Sequence, residues 1–141
     1  MHVIIYHGFW DVNKVRNHPD YLFVFGDNDK KSGKGGQAII RDESNAIGIP
    51  TKKYPCMKYF AFYTDEEYKE NISKIDEAIK RIQEELSRKN YTAIVIPVNG
   101  FGTGLAQLST KAPQTFSYLK NTVNTFVDKI QPDVSSMIIW E

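Results

Sequence analysis

The chain has 141 residues and a formal net charge of +1, and 25% of its residues are charged. This composition is typical of one globular domain, residues 1–141, and gives no overall electrostatic reason to expect nucleic acid or an anionic membrane as a partner. The single cysteine, Cys56, excludes an intrachain disulfide. No stretch approaches the roughly 20 apolar residues of a membrane span, and the first residues do not resemble a secretory signal. We therefore expect a cytoplasmic protein.

The first half of the chain is predicted to hold strands and only short helices. The β-branched and aromatic run HVIIYH (2–7) predicts a strand, and the continuous apolar run YLFVFGDN (21–28) predicts a strand that is buried on both faces. A polar stretch with about one helical turn separates them. Two further strand candidates are NAIGIPTK (45–52) and YFAFYT (59–64), and QAIIRDE (37–43) is a candidate short helix.

The second half shows a clearer alternation of helices and strands. Residues 64–90 open with a capping box formed by Thr64 and Glu67, and isoleucines at helical spacing follow it. The remaining predicted elements are a strand at 91–98, a second long helix at 108–130 and a final strand at 135–140. This alternation predicts an α/β fold, a single-domain three-layer α/β/α sandwich with a mixed, mostly buried sheet.

Two glycine-rich loops follow the two most apolar strands. GDNDKKSGKGG (26–36) comes after the first, and NGFGTG (99–104) comes after the second and leads into a helix. Ligands of open α/β sheets bind beyond the carboxyl ends of the strands, and successive N–H groups ahead of a helix cradle anions. Neither loop is a standard P-loop or a dinucleotide fingerprint. The loops are therefore either a phosphate-binding pair or simply tight turns.

The order of these motifs resembles the macrodomain family of ADP-ribose-binding modules. In that family a strand ends in asparagine, here Asn28, before a glycine-rich loop. A late strand then carries proline ahead of Gly-x-Gly, here Pro97, Gly102 and Gly104. The resemblance spans about residues 20 to 130. It is greatest for the small branch that removes ADP-ribose from glutamate or from modified DNA bases.

The resemblance also implies where this chain departs from that branch. The branch uses a lysine in the helix after the first glycine loop and an aspartate just after the late Gly-x-Gly-Leu. By count, these positions fall near Arg41 and at Ala106 in this sequence. Arginine stays protonated and is a poor nucleophile, and alanine cannot orient a reacting group. The resemblance thus supports binding more than it supports that hydrolysis.

Candidate site residues lie in and beside the two loops. Asp27 and Asn28 are the candidate catalytic residues, with Asx turns at a strand end as the alternative role. Phe101 is either a stacking surface for a sugar or base or a packed anchor of its loop. The predicted ligand-binding residues are Gly26, Gly33, Gly35, Gly36, Asn99, Gly100, Phe101, Gly102, Thr103, Gly104 and Leu105.

We expect the chain to bind ADP-ribose or a related NAD-derived nucleotide, with no cofactor, no metal and no membrane partner. Nucleic acid is expected only as an ADP-ribosylated substrate. As an enzyme, the protein would be a hydrolase of the ADP-ribosyl glycohydrolase or ADP-ribose phosphate phosphatase type. The alternatives are a non-catalytic reader or sequestering protein for a nucleotide signal, or an interaction module on the same fold.

Overall fold

The computed structural model describes all of residues 1–141. The four strands are β1 (His2–Tyr6), β2 (Tyr21–Asn28), β3 (Ala46–Lys52) and β4 (Ala93–Pro97). The four α-helices are α1 (Val12–Arg16), α2 (Tyr68–Arg88), α3 (Leu108–Lys111) and α4 (Pro113–Ile130). Short 3₁₀ turns lie at Gly36–Ile40, Tyr59–Ala61, Asp65–Glu67, Gly104–Ala106 and Val134–Met137.

The strands form one sheet in the order β1-β4-β2-β3, and every neighbouring pair is parallel. The expected α/β class is confirmed, whereas the expectation of a mixed sheet is wrong. The two inner strands are β2 and β4, and all five residues of β4 are buried. Strands covered on both faces need apolar side chains on both faces, which is why their sequences read as continuous apolar runs.

Two segments expected as strands take other conformations. Residues Tyr59–Ala61 form a 3₁₀ turn, and Phe62 makes only an isolated antiparallel bridge to Lys52. Near the other end, Ile139 donates its N–H to the carbonyl of Val98, but Trp140 has a left-handed φ of 64°. That backbone conformation ends any extended run and turns the indole toward the core, so no fifth strand forms.

Apolar side chains pack on both faces of the sheet. On one face, residues of β1, β2, β3 and β4 pack with α2 and α4 in a cluster of 21 buried residues. On the other face, Phe23, Phe25 and Val95 pack with Trp10, with α1 and with the 3₁₀ turn Gly36–Ile40. Successive residues of β2 therefore serve different cores, as the alternation of side chains along a strand requires.

The two long helices begin later than their sequences predict. The Thr64 side chain makes no capping hydrogen bond; a 3₁₀ turn precedes α2, which starts at Tyr68. The predicted helix 108–130 is divided at Ala112, whose φ and ψ of −149° and 70° are not helical. Ala112 precedes Pro113, and the proline ring disfavours helical backbone at the residue before it. None of the helices is both long and apolar enough to cross a membrane.

Candidate functional site

A cleft opens where the two inner strands part. β2 and β4 pair over a short stretch only, which begins with Tyr21 opposite Ala93 and ends with Phe23 opposite Val95. Beyond that point, β2 leads to the 3₁₀ turn on one face of the sheet, and β4 leads to α3 and α4 on the other. Neighbouring parallel strands whose connections leave toward opposite faces create a crevice at their carboxyl ends. Here the crevice has a volume of about 500 Å³.

The early loop (residues 29–36, after β2) and the late loop (residues 98–104, after β4) form two walls of this cleft. Nearly all of the predicted site residues line it. These are Gly26, Asp27, Asn28, Gly33, Gly35, Gly36, Asn99, Gly102, Thr103, Gly104 and Leu105. Gly100 and Phe101 also belong to the late loop but do not line the cleft; they face Trp140 instead.

Phe101 belongs to the hydrophobic core. Its side chain is fully buried, and its ring meets the Trp140 ring edge to face at a centroid distance of 6.2 Å. Of the two roles considered for Phe101, the structure favours the packed anchor, because no ligand in the cleft can reach a fully buried ring.

The three glycines of the late loop all have positive φ angles. The surroundings that a side chain would meet differ among them. A Cβ atom on Gly100 would lie 2.7 Å from Cδ2 of Trp140, and one on Gly102 would lie 2.8 Å from Cδ2 of Leu108. A Cβ on Gly104 would have no atom within 4 Å. Gly100 and Gly102 therefore make room for packed side chains, and only Gly104 faces open space.

The early loop is shaped by two polar side chains at the end of β2. The Asn28 amide donates to the Ser32 carbonyl at 2.8 Å and accepts from the Lys30 N–H at 3.0 Å, which is an Asx turn. Arg41 binds the Asp27 carboxylate, with Nη2 at 2.5 Å from Oδ1, and also donates to the Gly33 carbonyl. Arg41 thus clamps the loop to the strand that precedes it.

These contacts bear on the candidate catalytic roles. The Asp27 carboxylate accepts hydrogen bonds from Arg41 and from the Asn28 N–H, so it is held in a buried ion pair. The next carboxylate along the chain, Asp29, accepts from Lys74 at 2.7 Å and from the Tyr63 hydroxyl. Burial, together with Asp29, raises the pKa of Tyr63. The structure therefore favours the alternative in which Asp27 and Asn28 shape the loop rather than activate water.

Backbone N–H groups on both walls of the cleft have no acceptor within the protein. They include those of Gly33, Lys34 and Gly35 in the early loop and those of Gly102 and Thr103 in the late loop. Gly102 is a buried residue, and a buried N–H without an acceptor is rare in folded proteins. Donors arranged in this way suit the oxygen atoms of an anion.

The dipole of the helix that follows the late loop contributes little. The loop leads into a 3₁₀ turn and then into α3, which has only four residues. Aligned peptide dipoles accumulate over a longer helix, so the N–H groups themselves must supply most of the attraction for an anion.

Gln37 is a site residue that sequence reasoning missed. Its side-chain oxygen accepts from the Gly26 N–H at 2.7 Å, and its side-chain nitrogen donates to the Gly100 carbonyl at 3.1 Å. The amide thereby fills the gap between the ends of β2 and β4 and ties the two walls together. A glutamine in a short 3₁₀ turn carries no sequence signal for this role.

Lys52, at the end of β3, is a second residue that sequence reasoning missed. It lines the cleft, is buried, and forms no ion pair; its ammonium donates to the Cys56 carbonyl at 2.8 Å. Burial lowers the pKa of Lys52, because the low-dielectric surroundings disfavour the charged form. Lys52 is followed directly by Lys53, which pairs with Glu67 outside the cleft. No feature of the sequence indicates which of the two adjacent lysines enters the cleft.

The opposite rim of the cleft carries Phe9, whose side chain is 96% exposed. It follows Gly8, which has a φ of 136°, in the loop between β1 and α1. No three His, Cys, Asp or Glu side chains lie close enough together to hold a metal ion. The cleft therefore offers free N–H groups, one buried lysine and an exposed aromatic ring.

One known protein family matches most of the chain. The pattern described as "Family of unknown function (DUF7831)" matches residues 5–122, from β1 into α4. The chain belongs to this family. The matched region of the DUF7831 family contains β1 to β4 and both walls of the cleft. No curated protein and no solved structure matches the chain.

Proposed function

We propose that this DUF7831 protein binds ADP-ribose or a related NAD-derived nucleotide in the cleft, on a macrodomain-like three-layer α/β/α fold. The observation that carries the proposal is the pair of walls with free N–H groups, above all that of Gly102, a buried residue that lines the cleft. A diphosphate oxygen supplies the acceptor that the protein itself does not provide.

The two walls suggest how the ligand lies. The late loop holds the diphosphate, because Gly104 is open and Thr103 adds a hydroxyl whose nearest acceptor, the Asn99 carbonyl, is 3.5 Å away. A hydrogen bond of that length is weak, so the hydroxyl is free to turn toward a ligand. The early loop holds the distal ribose through the N–H groups of Gly33 and Gly35.

Thermal melting with two nucleotides tests this arrangement. ADP-ribose at about 100 times its dissociation constant stabilises the fold by roughly 2.7 kcal/mol. At the same concentration AMP stabilises it less, because AMP lacks the second phosphate and the distal ribose. Equal melting shifts for the two compounds would refute the two-wall arrangement. No shift with either would favour the interaction module, in which both loops are only turns.

Lys52 favours a second candidate function, removal of an ADP-ribosyl group from a carboxylate. A desolvated lysine with a lowered pKa is a better nucleophile than an exposed one, and Lys52 is the lysine buried in this cleft. Arg41 does not line the cleft. In this reaction the neutral amine bonds to the anomeric carbon as the carbon–oxygen bond to the carboxylate breaks. The amine proton passes to solvent, and water then displaces the lysine.

Incubation with a peptide ADP-ribosylated on glutamate tests this second candidate by mass spectrometry. Release of ADP-ribose should disappear in Lys52→Arg and persist in Lys53→Arg, the neighbouring control. The rate should rise with pH through the pKa of Lys52, which lies below that of an ordinary lysine, because only the neutral amine attacks. Binding of ADP-ribose without any release leaves the non-catalytic reader as the function.

A further inference from the structure

A surface beside the cleft carries a row of three aromatic rings, of which Tyr59 and Phe60 are exposed and Tyr54 is half-buried. It consists of Lys30 from the early loop and of Tyr54, Lys58, Tyr59 and Phe60, which follow β3, and is here called the aromatic–lysine surface. The Tyr59 side chain is 89% exposed. Its ring centroid lies 5.6 Å from that of Phe60, which lies 5.4 Å from that of Tyr54. The Lys30 ammonium lies 5.1 Å from the Tyr54 ring centroid and completes the row.

The charge around this row is one-sided although the whole chain is nearly neutral. Residues 51–63 contain three lysines and no acidic residue, and so do residues 30–36. Lys34 pairs with Asp42, and Lys53 pairs with Glu67. Lys30, Lys31 and Lys58 are exposed and form no ion pair. The surface therefore presents uncompensated positive charge next to aromatic rings that meet one another edge to face.

The residue types discriminate between two classes of partner. Protein–protein interfaces are enriched in arginine and depleted in lysine, and this surface has lysines and no arginine. Surfaces that bind single-stranded nucleic acid combine aromatic rings, on which bases stack, with cations that follow the phosphates. We propose that the aromatic–lysine surface binds single-stranded nucleic acid. The proposal does not rest on nucleotide binding in the cleft, because no residue of this surface contributes a free N–H to that site.

Fluorescence anisotropy with a labelled single strand of about 12 nucleotides, and with the matching duplex, tests the proposal. The single strand should bind more tightly, because its bases are free to stack. Tyr59→Ala should weaken single-strand binding about fivefold or more without changing the melting temperature, since the side chain is almost fully exposed.

A salt series separates charge from stacking. Lys58→Ala should make the dependence of affinity on salt shallower by about one phosphate contact. The control is Lys120→Ala, an exposed lysine on α4 that forms no ion pair, and its salt dependence should match that of the unchanged protein. Equal affinity for strand and duplex, or an unchanged affinity in Tyr59→Ala, would overturn the proposal. ADP-ribose melting shifts remain as before in both variants, so failure here is distinguishable from failure of the cleft proposal.

Discussion

The two loops that form the walls of the cleft are held in place by different kinds of contact. The late loop is held from behind by apolar packing, since Trp140 covers Gly100 and Leu108 covers Gly102. The early loop is more open, since all of residues 30–36 are exposed, and its apolar neighbours are Pro55 beside Gly33 and Leu105 beside Gly35 and Gly36. Polar contacts from Asn28 and Arg41 hold it as well.

This difference shows that a cluster of glycines does not have a single cause. In the late loop, two glycines serve packing and one serves access to the cleft. In the early loop, a Cβ atom on Gly35 would lie 3.5 Å from Cδ1 of Leu105 and one on Gly36 would lie 3.7 Å from it, which are ordinary contact distances. Variants of the late loop should therefore separate folding from binding, and variants of the early loop should act through its polar clamp.

The largest effect is expected at Gly100. Gly100→Ala places a methyl group against the Trp140 ring at a φ of 72°, so strain and overpacking add. The free energy of unfolding should fall by roughly 2–6 kcal/mol, measured by urea denaturation. Gly104→Ala is the matched control, because its φ is also positive but its surroundings are open. A similar loss in both variants would show that backbone strain alone explains the late loop.

The next effect is expected at the clamp of the early loop. Arg41→Met leaves the Asp27 carboxylate buried without its cation, which should cost about 3–5 kcal/mol of stability. Affinity for ADP-ribose, measured by calorimetric titration, should also fall because the loop loses its tie to β2. Arg88→Met serves as the control: the Arg88 side chain is 62% exposed in its pair with Glu85, three residues earlier in α2, and stability should change little. Full ADP-ribose affinity in folded Arg41→Met would remove the early loop from the binding site.

The smallest change in stability, with a clear change in binding, is expected at Gly104. Gly104→Val should reduce ADP-ribose affinity tenfold or more, equivalent to about 1.4 kcal/mol, because a branched side chain enters the space assigned to phosphate. Its positive φ of 61° adds a folding penalty of roughly 1–3 kcal/mol. Circular dichroism melting and titration of the same sample measure the two quantities. An unchanged affinity would mean that the late loop is only a turn.

Much of the framework followed from local patterns in the sequence. The apolar runs of β2 and β4 predicted the two inner strands, since burial on both faces leaves no polar positions. Helical spacing of isoleucines predicted the buried face of α2, where Ile75 and Ile82 are buried. The two glycine loops were correctly expected at one edge of the sheet, because the carboxyl ends of parallel strands share an edge.

The roles of individual side chains depend on contacts between segments that are distant in the chain. The pairing of Asp27 with Arg41 joins residues 14 positions apart, and the cover of Trp140 over Gly100 joins residues 40 positions apart. No local pattern encodes which residue arrives from elsewhere in the chain. Lys52 and Lys53 are identical in type and adjacent, yet one is buried in the cleft and the other pairs at the surface. The apolar periodicity of each segment is enough to predict that the segment is buried, whereas the packing of distant segments selects the polar groups that face the cleft.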